Sequence, residues 1–152
     1  MNGSNDAPPR VDAHGRPERL AEWKLLLATF AGGLLGSAAR AGVRAAFGAA
    51  GLAAWGTHLT VNGLGAFAAG WLFARLAAAD ADGRPVGLPH LRRVREHLWS
   101  VGVLGGFTTV SGFAWDAAQA VDEGDHVRLA VILAFNGVVG IAAATAGWKL
   151  GK

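Results

Sequence analysis

Four stretches of this chain are each long and apolar enough to cross a lipid bilayer, and no other property restricts its fold as strongly. They lie near Leu25–Phe47, Gly56–Ala79, Leu98–Val121 and Val127–Leu150. The hydrocarbon interior of a membrane is about 30 Å thick and takes roughly 20 helical residues to cross. Inside it the backbone must satisfy its own hydrogen bonds, so stretches of this length are expected to be helices. The connections are short, which makes one compact four-span unit of the all-α membrane class. The composition agrees: 52% of the 152 residues are hydrophobic and 16% are charged, unlike an ordinary soluble domain.

The third stretch is the unusual one. Its middle reads Gly105-Gly106-Phe107-Thr108-Thr109-Val110-Ser111-Gly112-Phe113. Each glycine costs a helix roughly 1 kcal/mol relative to alanine, so this segment is expected to be broken near its middle. At membrane depth a broken backbone is tolerated only where protein buries it or where it lines a watery cavity. Freed carbonyls and half-helix ends at such a break can coordinate ions. A flexible loop between two short helices is the plainer alternative.

Residues 1–22 form a polar tail with Pro8, Pro9 and Pro17, expected to be disordered. It lacks the apolar core of a signal peptide, and residues 23–152 form the membrane unit. In the first span Gly32, Gly36 and Arg40 recur every four residues and share a helical face. Small residues at that spacing let helices approach closely in lipid. Arg40 either snorkels to the interface or faces a water-filled vestibule. In the second span Asn62, Ala66 and Gly70 share a face, and in the fourth Asn136, Gly140 and Ala144 do. Each asparagine is either interhelical glue or a donor for an anion that has shed some water. His58 is expected at the interface. The stretch 80–96 reads as an extramembrane connection carrying Arg84, Arg92, Arg93 and Arg95.

The chemistry available is narrow. No cysteine is present, so disulfides and thiolate metal sites are excluded. The span interiors read as free of carboxylates, with Asp116 toward the end of the third. Proton-driven exporters, including small four-span multidrug-type transporters, need a titratable group inside the membrane. No phosphate-binding glycine loop, zinc-protease motif or serine triad is visible, so an enzyme is not expected. What remains is a set of neutral donors, Asn62, Thr108, Thr109, Ser111 and Asn136, with the charge of Arg40 and the ring of Phe113 beside them. Such groups suit a small anion, because amides and hydroxyls replace hydration water and an aromatic edge is electropositive.

These stretches resemble the CrcB/Fluc family of fluoride channels along about Leu25 to Gly151. The matching segments are GGLLGSAAR (Gly32–Arg40), GTHLTVNGLGAFAAG (Gly56–Gly70) and GGFTTVSGF (Gly105–Phe113). The resemblance implies a passive channel that exports fluoride across the cytoplasmic membrane, built as a dimer of two antiparallel subunits with two pores. It implies that Asn62 is a pore asparagine and that Thr109, Ser111 and Phe113 fall on a fluoride-lining element. Asn136 looks like part of a polar track on the fourth helix. Gly105 and Thr108 match positions whose backbone carbonyls hold a structural Na+.

Two departures from the family pattern matter. Val110 stands where the family has a phenylalanine, and Gly112 where it commonly has a hydroxyl residue. Charge is the second departure. If all four spans cross, one side holds eleven of the fourteen Lys and Arg residues, the other only Arg44 and Arg128, with Arg40 intramembrane. That bias puts both termini in the cytoplasm, and it says nothing of nucleic acid. A subunit inserted equally in both orientations needs little bias. The alternatives are therefore a heterodimer with a paralogous subunit supplying the missing ring, or a homodimer assembled despite the bias.

Overall fold

The protein is seen here as a computed structural model that describes residues 19–81 and 89–152, and its described elements are helices. Helix α1 (Arg19–Ala49) has 31 residues and α2 (Ala54–Ala81) has 28, about 46 and 42 Å at 1.5 Å per residue. The start of α1 lies inside the stretch expected to be tail; residues 1–18 lie outside the described part. Between α1 and α2 the chain reverses at Gly51, whose φ of 66° is cheap only for glycine. The expected connection over 80–96 falls partly outside the described residues, at 82–88. From there α3 (Pro89–Glu96) runs straight on into a π-helical segment (His97–Leu104) and α4 (Gly105–Phe107). Proline suits the first turn of a helix, where its missing N–H would have had no partner.

After α4 the helix stops. Thr108 (φ −77°, ψ 161°) and Thr109 (φ −151°, ψ 118°) are extended, and α5 (Val110–Asp122) begins beyond them. A second tight turn at Gly124, φ 68°, leads into α6 (His126–Ala134), a π-helical stretch (Phe135–Val139) and α7 (Gly140–Gly151), one uninterrupted rod.

Among the described residues, three helices are long and apolar enough to cross a membrane: Glu22–Ala49, Ala54–Ala79 and His126–Gly151. The stretch expected as another span, 98–121, is not a fourth of the same kind. Its extended threonines leave α5 with 13 residues, about 20 Å and too short to cross alone.

Two glycine seams hold the rods together. Along the first, α1 lies on the π-helical segment and α4. A Cβ on Gly36 would overlap the Val103 carbonyl oxygen, and one on Gly32 would stand 2.8 Å from the Cα of Gly102. Along the second, α2 lies on α7, where Gly70 abuts the Ala144 carbonyl and Gly147 abuts that of Phe67. Backbones in lipid approach this closely only where side chains are absent.

The buried apolar core is thin, with Val61, Ala74, Ala120 and Ile132 at its centre. Phe30, Leu35, Val127, Val138 and Ile141 are more than half exposed. An outward-facing apolar surface of this extent is what lipid or another subunit covers. At the end away from the two tight turns, Lys24, Arg75 and Lys152 lie over the rings of Trp23, Trp71 and Trp148 at 5.8, 5.6 and 5.4 Å. Tryptophan and snorkelling cations gather at the water boundary of a bilayer.

Candidate functional site

The extended pair Thr108–Thr109 is made possible by local substitutes for helical hydrogen bonds. The N–H and Oγ1 of Thr108 both donate to the Leu104 carbonyl, at 3.0 and 2.9 Å, closing the helix before the break. Thr109 opens the next one: its Oγ1 accepts the Gly112 N–H at 3.0 Å, the usual work of an N-cap threonine. The main chain of Thr109 itself is held by a side chain from α2. Asn62 Oδ1 accepts the Thr109 N–H at 2.9 Å, and Asn62 Nδ2 donates to the Thr109 carbonyl at 3.1 Å. The same Nδ2 donates to Asn136 Oδ1 at 2.9 Å, and Asn136 Nδ2 donates to the Ile132 carbonyl at 2.9 Å. One primary amide therefore clamps the break and ties it to the fourth rod. Both N–H groups of Asn62 are committed in this arrangement, whereas Asn136 keeps one N–H to spare.

The break also releases carbonyls. In an unbroken helix Gly105 O would accept from the Thr109 N–H, and Thr108 O from the Gly112 N–H. Those donors go instead to Asn62 and to Thr109 Oγ1. The Thr108 carbonyl accepts from Arg40 Nη1 at 3.1 Å, which leaves one of its two lone pairs. One end of the Arg40 guanidinium is thus held against the break. Gly105 borders open space, with nothing within 4 Å of where its Cβ would be. Carbonyl oxygens are hard donors, so the released pair has the chemistry to hold Na+. Two oxygens are a fraction of a coordination shell.

The break opens onto a groove of about 380 Å³ lined by Asn62, Gly105, Thr108, Thr109, Val110 and Asn136. A second groove of about 250 Å³, lined by Asn62, Gly63, Phe135, Asn136, Gly140 and Ala144, adjoins it. Both share the Asn62–Asn136 pair, so those two amides stand where the grooves meet. Ser111 is exposed, with its Oγ 3.1 Å from Thr109 Oγ1, which leaves that hydroxyl pair one O–H to give. Phe113 is half-buried and outside both grooves, while Val110 is 81% exposed at the groove wall.

One expectation is corrected, that of span interiors free of carboxylates, and it is corrected at a partner of His58, whose Nδ1 lies 2.6 Å from Asp116 Oδ2. Asp116 is only 4% exposed, so a buried carboxylate does exist where none was read. Counting distance from the end of the helix missed this, because α5 turns that residue onto α2. The spacing of His58 to Asn62, one helical turn, and of Gly112 to Asp116, likewise one turn, is the signal that could have found it. Gly112 itself makes room for the ring, since a Cβ there would stand 2.7 Å from His58 Cδ2.

Comparison with known proteins bears on this geometry. The profile of the family described as CrcB-like protein, Camphor Resistance (CrcB), matches residues 27–148. The fluoride-specific ion channel FluC 2 of Leifsonia xyli subsp. xyli is 36% identical over 142 residues, covering 93% of this chain and 87% of the relative. The fluoride-specific ion channel FluC of Xanthomonas euvesicatoria pv. vesicatoria is 33% identical over 86% of this chain and 92% of its own. A FluC 2 from Thermobifida fusca is 44% identical over 64% of this chain and 66% of its own. With the profile covering the grooves, the break and all four rods, this chain belongs to the CrcB family.

Proposed function

We propose that this chain is a subunit of a fluoride-selective channel that lets F− leave the cell passively across the cytoplasmic membrane and so relieves fluoride toxicity. The observation that carries the reading is the clamp of Asn62 on the extended Thr109 at a largely apolar groove whose few polar groups are neutral. Fluoride is small and strongly hydrated, and it must exchange water for donors as it passes. The donors left over are the second N–H of Asn136, one O–H of the Thr109–Ser111 pair and the remaining N–H groups of Arg40. Arg40 also supplies positive potential beside the break, which raises the local concentration of an anion. Asn62 acts first as the clamp that shapes the pathway, and Phe113 lies on the same element beyond Ser111.

The larger groove is open and carries the exposed Val110 on its wall, which suits a pathway completed by a second subunit packed antiparallel to this one. In that assembly Gly105 and Thr108 would hold Na+ through their carbonyls, doubled by the partner, and the ion would fix the two breaks against each other. Heterodimerisation with a paralogue is the second reading. It is favoured by Val110, which offers no ring to the groove, and by relatives whose names, FluC 1 and FluC 2, distinguish two such proteins. A proton-driven exporter is disfavoured although Asp116 is buried, because its carboxylate is engaged by His58 and does not line either groove.

Fluoride efflux from liposomes holding the purified chain, with chloride as control anion, tests the proposal. Fast efflux selective for fluoride is expected, from the chain alone where two copies form the pathway and otherwise once a paralogous subunit is co-expressed. Efflux of chloride at an equal rate, or silence both alone and after co-expression with a paralogous subunit, overturns it.

A further inference from the structure

The pair His58–Asp116 has no part in the pathway as described, yet its placement couples it to the break. α5 is the second half of the divided segment and carries Ser111 and Phe113, with Thr109 as its cap. Among the described residues, this is the side-chain hydrogen bond that joins the body of α5 to another element, the remaining ones being local to its first turn. It lies one helical turn beyond Asn62 on α2 and one turn beyond Gly112 on α5, so clamp and pair form successive ties along one seam. Between them the His58 ring occupies the space of the missing Gly112 Cβ, with Nε2 2.8 Å from that point and the Thr109 Cγ2 methyl at 2.8 Å from it as well. The ring therefore touches the turn that shapes the Thr109 cap. One hydrogen between His58 Nδ1 and Asp116 Oδ2 joins the two side chains at 2.6 Å. Of the other charges near this seam, Arg40 on α1 is engaged by Thr108, and Arg128 on α6 by Glu123 at 2.9 Å.

We propose that His58 and Asp116 are positioning residues that latch α5 onto α2 and thereby hold Thr109, Ser111 and Phe113 in register with Asn62. This rests on the fluoride-channel reading for its effect on flux, and on geometry alone for its effect on α5. The latch fits this chain because Gly112 leaves room for an imidazole against the cap.

The test combines flux with a distance. The sequence has no cysteine, so spin labels can be placed by Leu64→Cys on an exposed site of α2 and Gln119→Cys on an exposed site of α5. Labelled chain is diluted with unlabelled chain so that distances within one subunit dominate. In this background His58→Gln and Asp116→Asn are each expected to broaden or shift the α2–α5 distance and to lower fluoride efflux about tenfold, within the range over which packing couples distant sites. The double variant gives two amides that can bond each other, and it is expected to be no worse than the poorer single one, the mark of directly coupled residues. Unchanged distances in both single variants overturn the latch, whatever the flux. Additive losses in the double variant overturn the pairing. If the parent chain carries no fluoride, alone or co-expressed with a paralogous subunit, but the distances respond, the channel reading fails and the latch stands.

Discussion

At the scale of single residues the structure makes Asn62 do what a neighbouring strand would do, satisfying both the N–H and the C=O of Thr109. Removing it leaves two backbone groups without partners, and an unsatisfied buried group costs about 1–3 kcal/mol. Asn62→Ala is therefore expected to lower the thermal unfolding midpoint and to cut fluoride efflux from liposomes sharply. Asn62→Asp is expected to do more harm although it is nearly isosteric. One carboxylate oxygen still accepts from Thr109, but the other faces the Thr109 carbonyl and Asn136 Oδ1 with no hydrogen between them, and its charge repels the anion. Thermal melts and efflux on both variants decide the matter. An aspartate variant that conducts like the parent would show that the amide's donor end is idle.

At the scale of elements, the two glycine seams set how closely the rods approach. Gly36→Ala drives a methyl into the Val103 carbonyl and the Phe107 main chain, where the neighbour is backbone and cannot step aside. Overpacking typically costs about 1–3 kcal/mol, so this variant is expected to unfold at a lower temperature in detergent. Gly42→Ala on the same helix meets nothing within 4 Å and is expected to be neutral, or stabilising by up to about 1 kcal/mol through helix propensity. A matched pair of melts checks the contrast. Both glycines are equally visible in the sequence, but only the spacing of Gly32, Gly36 and Arg40 pointed to a contact face, and the partner backbone was not legible. The rods at 22–49, 54–79 and 126–151 could be read from apolar length alone, because lipid leaves a helix as the sole continuous solution. The glycines and hydroxyls of the third segment marked where regular helix would be costly, while the residues that replace its lost hydrogen bonds lie on other helices, at Arg40 and Asn62. The pair His58–Asp116 was missed for the same reason, since its members are far apart in sequence and α5 had to be turned before they could meet.

At the scale of the whole molecule the open question is orientation. The three tryptophan–cation pairs, Trp23–Lys24, Trp71–Arg75 and Trp148–Lys152, all lie at the end that carries the C-terminus and the start of α1. The turn end keeps Arg44 and Arg128, of which Arg128 is paired with Glu123. Lysine and arginine are retained on the cytoplasmic side during insertion, so the chain is expected to enter the membrane one way round, with both termini inside. The absence of native cysteine makes this measurable in intact cells. A cysteine at Ala50→Cys, in the exposed turn between α1 and α2, is expected to react with a membrane-impermeant maleimide added outside. One at Lys152→Cys is expected to stay protected until the cells are opened. That outcome has a consequence for the antiparallel assembly proposed above: copies that all point the same way cannot pack antiparallel with one another, so in that assembly the second subunit would be a different chain of opposite orientation, one that brings to the groove the aromatic ring Val110 lacks. Equal labelling at both sites from outside would mean that the chain inserts both ways. The charge bias would then be overridden, and two copies of this chain would have to form the pathway with valine at the groove wall of each.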